Sequence, residues 1–401
     1  MRVALVHDWL TGKRGGEYVL EAIAELYPAA ELFTLLHLPG AVDGMLAQLP
    51  CHTSWLQRVP AADRYYRHFL PVMPRLIEAF DLSGYDLIVS SSHCVAKGIR
   101  RPAGSAHVSY VHAPMRYIWD RYDDYFGPKR AALPVRVAAE AVRGTLQAWD
   151  RRVSASDRVD LLIANSHFIA EQIERAYQRS AQVIHPFVDT TRFNRARRPT
   201  GSYLMVGAFA PNKRVDLAIA AFNRLQLPLC IVGKGQEEER LRRMAGPTIE
   251  FLGALPNAEI EELYASSRAF VFPGIEDFGI TPLEAMASGL PVIAFGAAGV
   301  LETVVDGETG IFFRSQTVEA LMEAVLRVER GEVEFEESKL RARAAQFSKA
   351  TFQARFLTAV DETLRRLGLR PHDTHAAPAE RARHMASPAS RTIGVTADGA
   401  I

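Results

Sequence analysis

The sequence predicts an α/β protein of two Rossmann-like, doubly wound parallel-sheet domains that face a central cleft. Strand-like apolar runs alternate with helical patterns twice over. The first set is Arg2–Val6, Asp86–Ser90, His107–Val111 and Asp160–Ala164; the second is Tyr203–Val206, Leu229–Val232, Ala269–Phe272 and Val292–Phe295. Alternating βα units imply parallel sheets with helices on both faces. At 401 residues the chain exceeds one ordinary core, and a polar stretch, 192–201, ends in Pro199-Thr200-Gly201 between the two sets and is read as the hinge. The expected division is 1–195, 196–347, a helix over 348–367 that crosses back to the first domain, and a tail, 368–401. In that tail Pro, Ala, Ser and Thr dominate without apolar periodicity, so disorder is expected.

Charges balance to a formal +1, which removes the field that a nucleic-acid partner would need. No apolar run approaches the roughly 20 residues of a membrane span. The start, Met1 to Asp8, turns polar too soon for a secretory signal. The three cysteines, Cys51, Cys94 and Cys230, lack metal-ligand spacing. A soluble, cytoplasmic enzyme with no metal is expected.

The first strand runs into a loop, His7 to Glu17, that carries Gly15 and Gly16, and a helix is expected over Tyr18–Tyr27. The loop lacks the G-x-G-x-x-G spacing of dinucleotide-binding proteins, so its glycines either turn the chain or let backbone approach a ligand. From Trp55 to Phe80, Arg58, Arg64, Arg67, His68 and Arg75 interleave with aromatic and aliphatic residues. Pro60, Pro71 and Pro74 limit that stretch to short helical pieces. It is either an interfacial membrane contact or an excursion packed on the first domain, and the arginines of 128–152 favour an anionic bilayer. His112 ends a strand, where function collects in such folds, although a lone histidine there also serves as a structural hydrogen-bonder. Lys213-Arg214 is a cationic pair after the strand at Tyr203. Gly233 and Gly235 follow the next strand, and a further one is expected at Phe251-Leu252-Gly253.

The central block runs from Phe272 to Gly289. A buried strand stops at Pro273-Gly274, and Thr281 and Pro282 are expected to open a helix as N-cap and first residue. The amides of Gly279, Ile280 and Thr281 then form an anion seat. Glu276 precedes that seat and Glu284 follows it, so a bound phosphate would have a carboxylate on each side to accept sugar hydroxyls. This suits a nucleotide sugar. The plainer alternative leaves Glu276 solvated and Glu284 complementing the helix dipole.

Glu276 and Glu284, with Phe278-Gly279 between them and Pro282 two residues before the second, resemble the E-x7-E motif of the family-4 retaining glycosyltransferases. The loop with Gly15 and Gly16 is similar to that family's diphosphate-facing loop. The string His112-Ala113-Pro114-Met115-Arg116-Tyr117-Ile118-Trp119-Asp120 resembles its mannosyltransferase branch. The resemblance implies a GT-B fold and metal-independent transfer with retention. By the same resemblance, Glu284 holds the ribose and Glu276 the donor sugar, and His112 lies beside the reacting centre. The Gly279, Ile280 and Thr281 amides, with Lys213, take the phosphates, Gly233 and Gly235 hold the base and ribose, and Phe278 belongs to the same binding block. A family arginine falls on Ala208, a departure for which Arg214 is a substitute candidate. The implied donor is GDP-mannose and the implied acceptor a polyprenyl-diphosphate-linked oligosaccharide, met at the inner face of the cytoplasmic membrane. Alternatives are a UDP-sugar transferase, another GT-B enzyme such as an epimerase or phosphorylase, and a non-catalytic protein on a decayed scaffold.

Overall fold

The structure, a computed structural model, describes residues 1–120, 122–128 and 132–370. Lys129-Arg130, which the sequence reading places in a membrane-attracting stretch, and the tail beyond residue 370 lie outside the described residues.

Two all-parallel sheets follow one another along the chain. The first holds β1 (Val3–His7), β2 (Glu31–Thr34), β3 (Cys51–Thr53), β4 (Leu87–Ser92), β5 (Ala106–Val111), β6 (Leu161–Ala164) and β7 (Gln182–Val183), in the order β3-β2-β1-β4-β5-β6-β7. The second holds β8 (Tyr203–Val206), β9 (Leu229–Val232), β10 (Ile249–Gly253), β11 (Phe270–Phe272), β12 (Val292–Phe295) and β13 (Gly310–Phe313), in the order β10-β9-β8-β11-β12-β13. Strand order reverses between β1 and β4 and again between β8 and β11, and crevices at strand carboxyl ends beside such reversals are where open α/β sheets bind ligands. The helices that matter below are α1 (Gly15–Ala24), α2 (Leu133–Val153), α3 (His167–Tyr177), α4 (Asn257–Ser266), α5 (Ile280–Ala287), α6 (Val300–Thr303) and α7 (Lys349–Arg366).

Every residue of β1 is buried, as a central strand covered on both faces requires. The two-residue period sends Val3 and Leu5 into a core shared with α1, while Ala4 and Val6 join Ile77 and Trp149 on the opposite face. Phe352, Phe356, Val360 and Leu364 of α7 fall into the first of these cores, so the last helix packs on the first sheet. Ser348 caps α7 by accepting the Thr351 amide at 3.2 Å, and Gln353 donates to the Ala22 carbonyl at 2.9 Å.

The stretch read as a hinge is anchored along α4. Arg192 pairs with Glu261, Arg197 donates to the Tyr264 carbonyl at 2.8 Å, and the Thr200 amide donates to Ser266 O at 2.6 Å. Between Trp55 and Glu78 the chain forms four short helical pieces, as its prolines dictate. Leu56, Tyr66, Met73 and Ile77 pack inward, whereas Trp55 is 60% exposed and Tyr65 56%.

Candidate active site

The carboxyl ends of β1, β4 and β5 face those of β8 and β11 across a cleft with a cavity of about 580 Å³. Its second-half wall is built on the loop between β11 and α5. Helix α5 starts at Ile280, two residues before the sequence suggests, because Gly279 adopts φ 90° and takes the N-cap position, leaving Thr281 and Pro282 inside the first turn. The Gly279, Ile280 and Thr281 amides still form the opening of the helix. Gly299 holds the loop from behind. A side-chain carbon there would lie 2.3 Å from the Asp277 carbonyl oxygen, and its amide donates to Glu276 O at 3.1 Å. From the front, the Asn212 carbonyl accepts the Ile275 amide at 3.1 Å. The Glu276 carboxylate, thus fixed, accepts from Lys213 Nζ at 2.7 Å and from Asn212 Nδ2 at 2.9 Å.

The first-half wall is α1 and the ends of β4 and β5. Helix α1 begins at Gly15 rather than Tyr18, because the Glu17 carboxylate reaches back to the Arg14 amide at 3.0 Å and fixes the first turn. The glycine pair is therefore the helix opening, with its amides on the cleft side. His112 sits behind it. Its Nε2 is 2.8 Å from Ser91 Oγ, and His7 Nδ1 lies 3.0 Å from Ser91 O and 3.2 Å from Ser91 Oγ. A carbonyl only accepts, so His7 Nδ1 carries a proton and donates to it. The Ser91 hydroxyl is the hydrogen-bond partner of His112 Nε2, and donation from that hydroxyl corresponds to the tautomer with the His112 proton on Nδ1. Burial, reinforced by His93 and His7, pushes the pKa of His112 down to about 3 and keeps the ring neutral.

Beneath it, Asp8 accepts the amides of His93, Cys94, Val95 and Ala96 at 2.6–3.0 Å. Burial works against its charge, yet His93, His7 and these amides bring its pKa below the usual carboxylate range. Burial likewise opposes the charge on Glu17, and the neighbouring His7 brings that carboxyl down to about 2. Two buried carboxylates thus stay ionised under the floor of the cleft.

Polar contacts between cleft-side loops join the halves. Arg116 forms an ion pair with Asp277, Ser166 Oγ donates to Asp277 O at 2.6 Å, and Glu302 of α6 caps α3. In that cap the Glu302 carboxylate accepts the His167 amide at 2.9 Å, the Phe168 amide at 3.1 Å and His185 Nε2 at 2.7 Å. The donor atoms of His167, His185 and Glu302 lie within 4.8 Å of one another, the one group of this kind able to hold a metal among the described residues. It lies outside the residues that line the cleft.

Of the residues singled out in the sequence, Gly15, Gly16, His112, Lys213, Glu276, Phe278, Gly279, Ile280 and Thr281 line the one cavity. Gly233, Gly235, Glu284 and Arg214 do not. Glu284 accepts from the Tyr264 hydroxyl at 2.9 Å, and burial raises its pKa against that bond. Arg214, with φ 51°, turns toward Asp216 and Gln316, at 3.2 and 3.4 Å. Arg14, Arg116 and Asn212 line the cleft without having been singled out. The neighbours of the glycine pair and of Lys213 were the available signal for Arg14 and Asn212.

The family model for glycosyl transferases group 1 matches residues 190–351, and that for glycosyltransferase family 4 matches residues 48–192. The chain is 35% identical over 191 residues to a GDP-mannose-dependent alpha-mannosyltransferase of Mycolicibacterium smegmatis, covering 45% of this chain and 50% of that protein. It is 33% identical over 283 residues to a protein of the same description from Corynebacterium glutamicum, covering 70% of this chain and 63% of the other. The alignments thus span about half to two thirds of these relatives. Among solved structures, a sucrose-phosphate synthase from Thermosynechococcus elongatus superposes with a TM-score of 0.69 at 18% identity, over 91% of this chain and all of that one.

Proposed function

We propose that this chain, which belongs to the group 1 and family 4 glycosyltransferases and has their GT-B fold, transfers mannose from GDP-mannose with retention at the anomeric carbon. The observation that carries the reading is the gathering of His112, Glu276, Lys213 and the α5 opening around one cleft. Two relatives described as GDP-mannose-dependent support the choice of donor.

The α5 amides and Lys213 hold the donor diphosphate, which needs cations where its charge develops. Glu276 accepts hydroxyls of the sugar. His112, with its proton on Nδ1, is a neutral donor beside the reacting centre. The acceptor hydroxyl bonds to the anomeric carbon while that carbon's bond to the diphosphate oxygen breaks; the electron pair leaves on the nucleoside diphosphate, which takes the hydroxyl proton. Glu284 lies beyond the cavity beside Tyr264, and the ribose is assigned to it by the family resemblance alone. The metal-independent reading assigns no step to an ion.

For the acceptor we propose a lipid-linked oligosaccharide at an anionic membrane surface. No helix among the described residues is long and apolar enough to cross a membrane. The support is exposed apolar surface on the first half: Trp55, Tyr65 and Val72, and Leu133, Val135 and Val137 at the start of α2.

Calorimetric binding of GDP, UDP, GDP-mannose and UDP-glucose, with Glu284→Ala alongside, tests the donor. GDP-mannose binding that weakens in the variant is expected. Preferential UDP-glucose binding would replace the mannosyl reading with a UDP-sugar transferase on the same site.

A further inference from the structure

Behind the cleft wall the two halves share one cluster of metal-ligating side chains, His167, His185 and Glu302, whose donor atoms lie within 4.8 Å of one another. His167 opens α3 and His185 follows β7, both in the first half, while Glu302 belongs to α6 in the second. Other histidine–carboxylate pairs differ. His52 and Glu31 form an exposed pair at 2.7 Å with no third ligand, and the buried Asp8 beside His93 gives its oxygens to four backbone amides.

Each member of the cluster is prepared for an ion. The Glu302 carboxylate is oriented by the amides of His167 and Phe168, at 2.9 and 3.1 Å, and accepts His185 Nε2 at 2.7 Å. The His185 ring is fixed by aromatic neighbours, stacked on Phe278 at 5.4 Å and edge-on to Phe347 at 5.5 Å. The His167 ring is different. Its residue is exposed, and its ring nitrogens have no hydrogen bond or ion pair among the described residues. An oriented carboxylate, a fixed imidazole and an imidazole without a polar partner make a three-ligand set that water completes. Two imidazoles select a transition metal over magnesium or calcium, which take oxygen ligands. Around a tetrahedral zinc, ligand atoms at about 2.0–2.1 Å lie about 3.3 Å from one another. The His185–Glu302 contact therefore opens slightly, and the His167 ring turns inward.

We propose that His167, His185 and Glu302 bind one divalent transition-metal ion of the zinc class, which fastens the two halves together. The ion takes the place of the proton between His185 Nε2 and Glu302. That proton leaves to solvent, and His167 adds the third bond. None of the three residues lines the cleft, so the ion is given no step in sugar transfer, and the proposal holds whichever nucleotide the cleft takes. Its effect reaches the cleft wall through His185, whose stacking partner Phe278 and following residue Pro186 both line the cavity.

Calorimetric titration of Zn2+ into the metal-free full chain, with His167→Ala and Glu302→Gln alongside, tests it. Wild type is expected to bind one ion per chain. Each variant is expected to bind at least about tenfold more weakly, since losing even a supporting group of a metal site costs that much. Co2+ gives a second readout: the visible bands of the bound ion are expected in wild type and should fade in His167→Ala. Zn2+ should also raise the midpoint of denaturant unfolding in wild type, and much less in the variants. His167→Ala removes a solvent-facing ring with no polar partner, so its fold is not at stake. No binding by wild type, or binding undiminished in His167→Ala, overturns the proposal. Binding lost in His167→Ala but undiminished in Glu302→Gln overturns it too, because the ion then sits on one half alone.

Discussion

Arg116 and Asp277, 161 residues apart, form an ion pair across the cleft, one residue from the carboxylate that binds Lys213. Arg116 comes from the loop after β5 and Asp277 from the loop before α5, so the pair ties the two catalytic walls together. Arg116→Ala is expected to cost about 1–2 kcal/mol of stability, the range for a charged bond that water partly screens. It is also expected to enlarge the radius of gyration of the ligand-free protein. Asp277→Asn should do the same, and the double variant no more than either alone. Solution scattering that matches wild type in all three would remove the closing role.

Ser91 is placed to set the tautomer of His112. Ser91→Ala removes the donor to Nε2, and the ring becomes free to move its proton there. Nitrogen NMR of His112 should show the Nδ1–H form in wild type and a mixture in the variant. Turnover is expected to fall by roughly 10- to 100-fold with a smaller change in KM, as for loss of one oriented donor. A wild-type spectrum already mixed would show that the Ser91 bond does not set the tautomer.

Acid should unfold this protein through its buried histidines. Burial holds His93 and His107 at about 4 and His112 at about 3, against an ordinary 6.5. The unfolded chain therefore takes up protons below pH 6.5 that the folded chain refuses, so stability is full above that pH and falls as pH drops toward 4 and then 3. Glu17, held at about 2, adds to the loss below its ordinary 4.5. A melting temperature that stays flat from pH 7 to 4 would contradict this. His107, bonded to Ser90 Oγ at 2.8 Å and to Arg158 O at 3.0 Å, lies outside the cleft lining, so His107→Asn should flatten the slope separately from catalysis.

Glu302 also ties the halves together. Glu302→Ala leaves the α3 amides of His167 and Phe168 and the His185 ring without their acceptor. A loss of about 1–2 kcal/mol in denaturant unfolding is expected, as for other helix caps. Glu302→Gln keeps one carbonyl acceptor and should recover part of it. Stability unchanged in both would mean that water replaces the cap.

The two-sheet architecture was legible because its central strands are apolar runs buried on both faces. β2, β3, β7 and β13 were not; of these β3 and β7 are only two to three residues long and partly covered. Both helix openings at the cleft were placed late for one reason. Propensity reads Gly15-Gly16 and Gly279 as loop, while the fold makes them helix starts, through Glu17 in one case and a positive φ in the other. His112, Glu276 and Lys213 could be named from local strings. The pairing of Arg116 with Asp277 could not, because it depends on which charges the fold brings near.

Helix α7 gives the chain a particular order of birth. Leu5, Val19 and Ile23 belong to a core that is sealed by Phe352, Phe356 and Val360. Synthesis runs from the other end, so the six-stranded sheet is complete before the seven-stranded sheet, made first, can be closed. Throughout that interval the earlier half keeps apolar surface in water, where chaperones and premature aggregation compete for it. Any chain interrupted between residues 313 and 349 would carry both sheets and still leave the ribosome with its first domain unsealed.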